Sequence, residues 1–64
     1  MISRMKHERL KRRLTQTQLG AAANLSTSDV SRIESLRFKP YPSQALRLAR
    51  VLKLKPAELL EVVD

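Results

Sequence analysis

The stretch "LTQTQLGAAANLSTSDVSRIE", Leu14–Glu34, decides the fold. Thr15 is followed three residues later by Gln18, and Ser26 three later by Asp29. Both pairs fit the capping box, in which an N-cap hydroxyl and an acceptor at the third helical position satisfy each other's backbone donors. Helices are therefore predicted over about 16–23 and 27–35. Only Asn24, Leu25 and Ser26 separate them, so the chain must turn sharply. Such a turn needs a left-handed residue where the first helix ends, and after Gly the most tolerant type is Asn. Asn24 stands there. A close crossing also needs a small residue on the first helix of the pair, and the chain's one Gly, Gly20, is placed for it. Leu19, Ala23, Leu25, Val30 and Ile33 are predicted to fill the junction.

Two helices turning on each other over so short a joint have helix-turn-helix geometry. The rest of the chain also reads as helix. Good helix formers, chiefly Ala, Leu, Arg and Lys, dominate the chain, and no alternating strand pattern is evident. Pro42 and Pro56 suit first helical positions. The prediction is an all-α domain over residues 1–64 with five helices, at about 3–12, 16–23, 27–35, 42–52 and 56–62. Spacing places Leu19, Ala22 and Ala23 of the second helix inward. Val30 and Ile33 of the third, Ala45, Leu48, Ala49 and Leu52 of the fourth, and Leu59, Leu60 and Val63 at the end join them. Leu14, Leu25 and Leu54 plug the connections. The first helix keeps no clean apolar period.

Composition narrows the function. Sixty-four residues support one small core and no deep catalytic cleft. Without Cys there is no thiolate site, and His7 alone makes no metal site, so no cofactor or metal is expected. No nucleophile–base pair surrounds His7, no Gly-rich phosphate loop occurs, and no enzyme is expected. No run approaches the roughly 20 apolar residues of a membrane span. A soluble, cytoplasmic, nucleoid-associated protein is the expectation. The net charge is +7, and residues 4–13 carry six cations (Arg4, Lys6, Arg9, Lys11, Arg12, Arg13) against Glu8 alone. Arg47, Arg50, Lys53 and Lys55 add a second basic group, while Glu58, Glu61 and Asp64 make the end acidic. A small basic domain of this kind suits a polyanion. A merely solvated surface would have the same composition.

The third helix is what separates those readings. Ser26, Thr27, Ser28 and Ser31 put four hydroxyls within six residues. Short hydroxyl side chains permit close approach to a major groove about 12 Å wide and pair with donors or acceptors, and Arg can bond guanine bidentately. Alternatively, Thr27 and Ser28 are ordinary first-turn residues, and Arg32 pairs with Asp29 one turn away. Asp29 itself can close the capping box, orient Arg32, or accept from a cytosine amino group. Phe38 and Tyr41 read as loop anchors, since two aromatics make no stacking platform.

With those residues in view, Leu14–Glu34 resembles the helix-turn-helix of Cro and phage-repressor regulators, the XRE-like family with a lambda-repressor-like fold. "KPYPSQALRLARVLKLKPAELL", Lys39–Leu60, resembles that family's fourth and fifth helices. The resemblance implies base contacts from Thr27, Ser28 and Arg32, with Ser31 as their neighbour. It implies phosphate contacts from Gln16, which also braces the recognition helix, and from Arg37 and Lys39. Glu34 matches an acid that pairs with an Arg of the first helix. The ungapped register makes this Arg9, and a deletion before Leu14 would make the partner Lys11. The sequence departs from the family at Arg13, Leu36 and Lys53, where Gly is usual. The expected function is a transcriptional regulator, a repressor, binding a double-stranded DNA operator as a homodimer. Its dimer contact is expected from the 36–41 loop and the apolar face of the fifth helix. The alternatives are an antitoxin-type or phage- or plasmid-borne regulator with a protein partner such as a toxin, and a protein-interaction module of the same fold.

Overall fold

Four α-helices occur among the described residues, 2–63, of the computed structural model. They are α1 (Arg4–Lys11), α2 (Gln16–Ala23), α3 (Thr27–Glu34) and α4 (Pro42–Leu52). A 3-10 turn covers Pro56–Glu58, and short strands β1 (Ile2–Ser3) and β2 (Val62–Val63) lie at the two ends. The bounds of α2 and α4 match the sequence reading. Those of α1 and α3 differ by a residue at their ends.

All four helices stop in the same way. The residues Arg13, Asn24, Leu36 and Lys53 are left-handed, with φ of 58°, 57°, 64° and 56°. The next residue in each case donates its N–H back over five positions: Leu14 to Arg9, Leu25 to Gly20, Arg37 to Arg32 and Leu54 to Ala49. The left-handed residue itself donates back three, to Leu10, Ala21, Ile33 and Arg50. This is the Schellman closure, which satisfies carbonyls that the helix leaves orphaned. An L-residue in this conformation costs roughly 1–2 kcal/mol relative to the right-handed region. Leu14, Leu25 and Leu54 follow three of these residues and pack against the core, which offsets that cost. The backbone at Arg13, Leu36 and Lys53 therefore keeps a conformation suited to Gly without having Gly.

The expected fifth helix is not formed. Pro56 starts a turn, but beyond Glu58 the carbonyls are used elsewhere. Leu59 O accepts from Met5 N at 2.9 Å and Glu61 O accepts from Arg4 N at 2.6 Å. The first donors of α1, which have no partner in their own helix, thus hold the C-terminal segment open. Val62 and Val63 then pair antiparallel with Ser3 and Ile2. Arg4 Nε also meets Glu61 Oε1 at 2.9 Å. Ser3 ends β1 and caps α1, its side chain accepting from Lys6 N.

The core consists of Met5, Leu19, Ala23, Val30, Ile33, Leu48, Ala49, Leu52 and Leu59. Met5 was not expected there. Ala22, predicted inward, is exposed. The buried stripe of α2 is Leu19, Gly20 and Ala23, and Ala22 lies off it. Ala45, Leu60 and Val63 are only partly buried. No helix among the described residues is long and apolar enough to cross a membrane.

Candidate nucleic-acid interface

The α2–α3 joint is built as its residues require. Thr15 Oγ1 accepts from Gln18 N at 3.0 Å, and Gln18 Oε1 accepts from Thr15 N at 2.8 Å, a complete capping box. At the other end, Asn24 turns the chain. A Cβ added to Gly20 would lie 2.6 Å from the carbonyl oxygen of Leu25, so only Gly permits this approach. Val30 packs on the same spot, its Cγ2 at 3.4 Å from that Cβ position. Arg47 of α4 donates its Nε to Ala23 O at 2.8 Å, binding the end of α2 to the rest of the domain. Nothing in the sequence period pointed to that role for Arg47; only its place on the half-buried flank of α4 carries it.

The back of α3 is fixed by charge. Glu34 is buried and accepts from Arg9 Nε at 2.5 Å and Arg9 Nη2 at 3.2 Å. Arg9 Nη1 donates to Leu14 O at 2.7 Å. Gln16 Nε2 donates to Glu34 Oε1 at 3.2 Å. The partner of Glu34 is thus Arg9, the ungapped choice, and not Lys11. Arg13 is left-handed, the conformation that the usual Gly would take, and α1 stands in the register that sets Arg9 against Glu34. Gln16 braces α3 through Glu34.

The front of α3 is open. Thr27, Ser28, Ser31 and Arg32 are all exposed, and the spacings of three and four residues between the first pair and the second put them on one face. Ser26 caps the helix by accepting from Asp29 N at 3.1 Å. The reciprocal bond from Asp29 is not part of this cap. The Asp29 carboxylate lies 3.9 Å from Arg32 Nη1 instead. Asp29 therefore leans on Arg32, one of the roles its sequence position offered, and does not close the capping box that Ser26 and Asp29 suggest. Thr17 Oγ1 and Thr27 Oγ1 are 3.1 Å apart, so the exposed N-terminal turns of α2 and α3 are bridged. Arg37 and Lys39 project from the loop after α3, both exposed.

That loop carries its aromatics unequally. Phe38 packs against the core, while Tyr41 is 64% exposed. Their rings meet edge to face, with centroids 5.8 Å apart. Tyr41 is thus no buried anchor. It borders an apolar groove of about 700 Å³ between the loop, α4 and the 3-10 turn, lined chiefly by Pro40, Tyr41, Pro42, Pro56, Leu59 and Leu60.

Just past α1, the Arg12 guanidinium, 2.5 Å from the Glu8 carboxylate, holds that group below the ordinary carboxylate range. Among the described residues no cluster of His, Cys, Asp and Glu could hold a metal ion. The sequence model of a family described as a helix-turn-helix domain matches residues 3–62. No curated protein matches the chain.

Proposed function

Because the chain belongs to the helix-turn-helix domain family, we propose that it is a sequence-specific DNA-binding regulator that lays α3 in the major groove. The observation that carries this is the exposed face of Thr27, Ser28, Ser31 and Arg32, on a helix whose back is locked by buried Glu34. A rigid helix with short polar side chains at its N-terminal end can reach base edges, and a long Arg beside them can read guanine. Gln16, Arg37 and Lys39 would meet phosphate and supply affinity that falls with salt. The domain has no catalytic step in this role.

Binding would be as a symmetric dimer on half-sites about 34–36 Å apart, and occupancy of an operator would repress by excluding polymerase. The groove beside the 36–41 loop is the face for the second copy. The same groove and exposed Tyr41 also suit a different protein, which is the antitoxin-type reading.

Selection from a randomised duplex pool at fixed salt tests the proposal. Arg32→Ala is expected to lower affinity for the selected site and spare unrelated DNA. Lys39→Ala is expected to weaken both and reduce the salt slope by about one. If neither variant changes DNA affinity, the DNA reading fails. Sedimentation of the protein on its site separates a dimer from a monomer covering one half-site.

A further inference from the structure

We infer that Thr17, outside the recognition helix, sets which base Thr27 can read. The inference rests on the DNA-binding reading above. It starts from the 3.1 Å contact between the two hydroxyls, both of them exposed. A hydroxyl has a single proton to give. In a bridged pair one member donates to the other, and the remaining member keeps its proton for a third group. The free protein leaves the direction open, because either oxygen can be the donor.

DNA removes that freedom. In helix-turn-helix docking the first helix of the pair crosses the backbone, while the N-terminal residues of the second meet base edges. Thr17 is the second residue of α2 and Thr27 the first of α3. A phosphate oxygen only accepts. Thr17 then gives its proton to phosphate and must accept from Thr27. Thr27, its own proton spent on Thr17, faces the groove as an acceptor. The base edges that donate in the major groove are the amino groups of adenine N6 and cytosine N4. Thr27 therefore selects an amino-bearing base, and Thr17 is the positioning residue that makes it do so. Without the Thr17 oxygen, the Thr27 proton is free and the hydroxyl can serve a guanine or thymine acceptor equally well.

The test uses the full chain and the duplex that it selects. Exocyclic amino groups are replaced one at a time by carbonyl oxygens across the half-site, adenine by hypoxanthine and cytosine by uracil in matched pairs, and affinities are measured at fixed salt. The base of Thr27 is the one at which Thr27→Val abolishes the effect of replacement. There, the parent protein and Thr17→Ser are expected to lose roughly tenfold, because an acceptor then faces an acceptor. Thr17→Val, whose Thr27 proton is free for the carbonyl, is expected to lose less than twofold, with an unchanged melting temperature because the side chain is exposed. A parent protein indifferent to every replacement overturns the inference, as does a Thr17→Val variant that keeps the full tenfold. So does a Thr17→Val variant that weakens binding to all duplexes equally, which would make Thr17 a phosphate contact alone. A parent protein that enriches no sequence overturns the DNA reading together with the inference, and this outcome is distinct from the others.

Discussion

Removing either member of the Arg9–Glu34 pair is expected to cost about 3–5 kcal/mol, because the charge left behind stays buried. The side chains are 8% and 3% exposed, so water neither screens the pair nor replaces a lost partner. Glu34→Leu leaves the Arg9 guanidinium with only Leu14 O to receive it. Arg9→Met leaves the Glu34 carboxylate with only Gln16. A domain of this length holds about 3–10 kcal/mol of stability in all, so either substitution brings it close to unfolding. Sucrose, which strengthens burial, keeps both variants measurable. The double variant Arg9→Met/Glu34→Leu removes both charges and fills their space with apolar atoms. It is expected to lose less than either single variant. Urea unfolding with linear extrapolation gives the four stabilities, provided the slopes agree. Arg4–Glu61, with side chains 35% and 51% exposed, is the internal control and should be worth no more than about 1 kcal/mol. Single variants of the buried pair that cost under about 1 kcal/mol, or a double variant equal to their sum, would refute the reasoning.

Other expectations follow from the helix ends and the joint. Gly20→Ala places a Cβ 2.6 Å from Leu25 O and must push α2 from the turn; a loss of about 1–3 kcal/mol is expected in thermal unfolding, with weakened DNA binding. Lys53→Gly relieves a left-handed residue at φ 56°. Against the greater flexibility of unfolded Gly, the net gain is expected to be about 0.5–1 kcal/mol in the urea midpoint. Glu8 is held below its ordinary value of 4.5, first by the hydrogen bond to Arg12. Its contribution to stability is present above 4.5 and is lost as pH falls through the lowered value. Carboxyl titration by NMR should show that depressed midpoint in the parent protein and a rise toward 4.5 in Arg12→Gln.

Local chemistry explains which parts were legible from sequence. The bounds of α2 are written in Thr15, Gln18 and Asn24, all within a few residues of the ends that they make. The α2–α3 joint is written in Gly20 for the same reason. Leu36, Lys53 and Arg13 were harder, because they take a backbone shape that their own types disfavour. Their following neighbours, two of them plugging leucines, hold it in place. The tail misled because Pro56, Glu58 and Leu59 look helical nearby, while the groups that unmake the helix, Arg4 N and Met5 N, belong to the opposite end of the chain. Met5 was missed for a related reason: α1 has no regular apolar stripe, and its one core residue is fixed by contact with the tail. For the interface, sequence identified the exposed face of α3. The Arg32–Asp29 approach was one of the readings the sequence offered, because i,i+3 spacing is written in the chain; the Thr17–Thr27 bridge was not, since it depends on side-chain directions across two helices.

The pairing of β1 with β2 also orders how the molecule assembles. The helices and the α2–α3 joint close over a few residues each, and such contacts form in microseconds. Joining Ile2 to Val63 closes nearly the whole chain, the largest loop entropy in the molecule. The two strands are therefore the last piece to zip and the first to open. While they are apart, Arg4 N and Met5 N lose their carbonyl partners and Met5 loses Leu59 above it. Those two amides are natural reporters: their hydrogen exchange measures how often the tail lets go while the helix-turn-helix beneath stays folded.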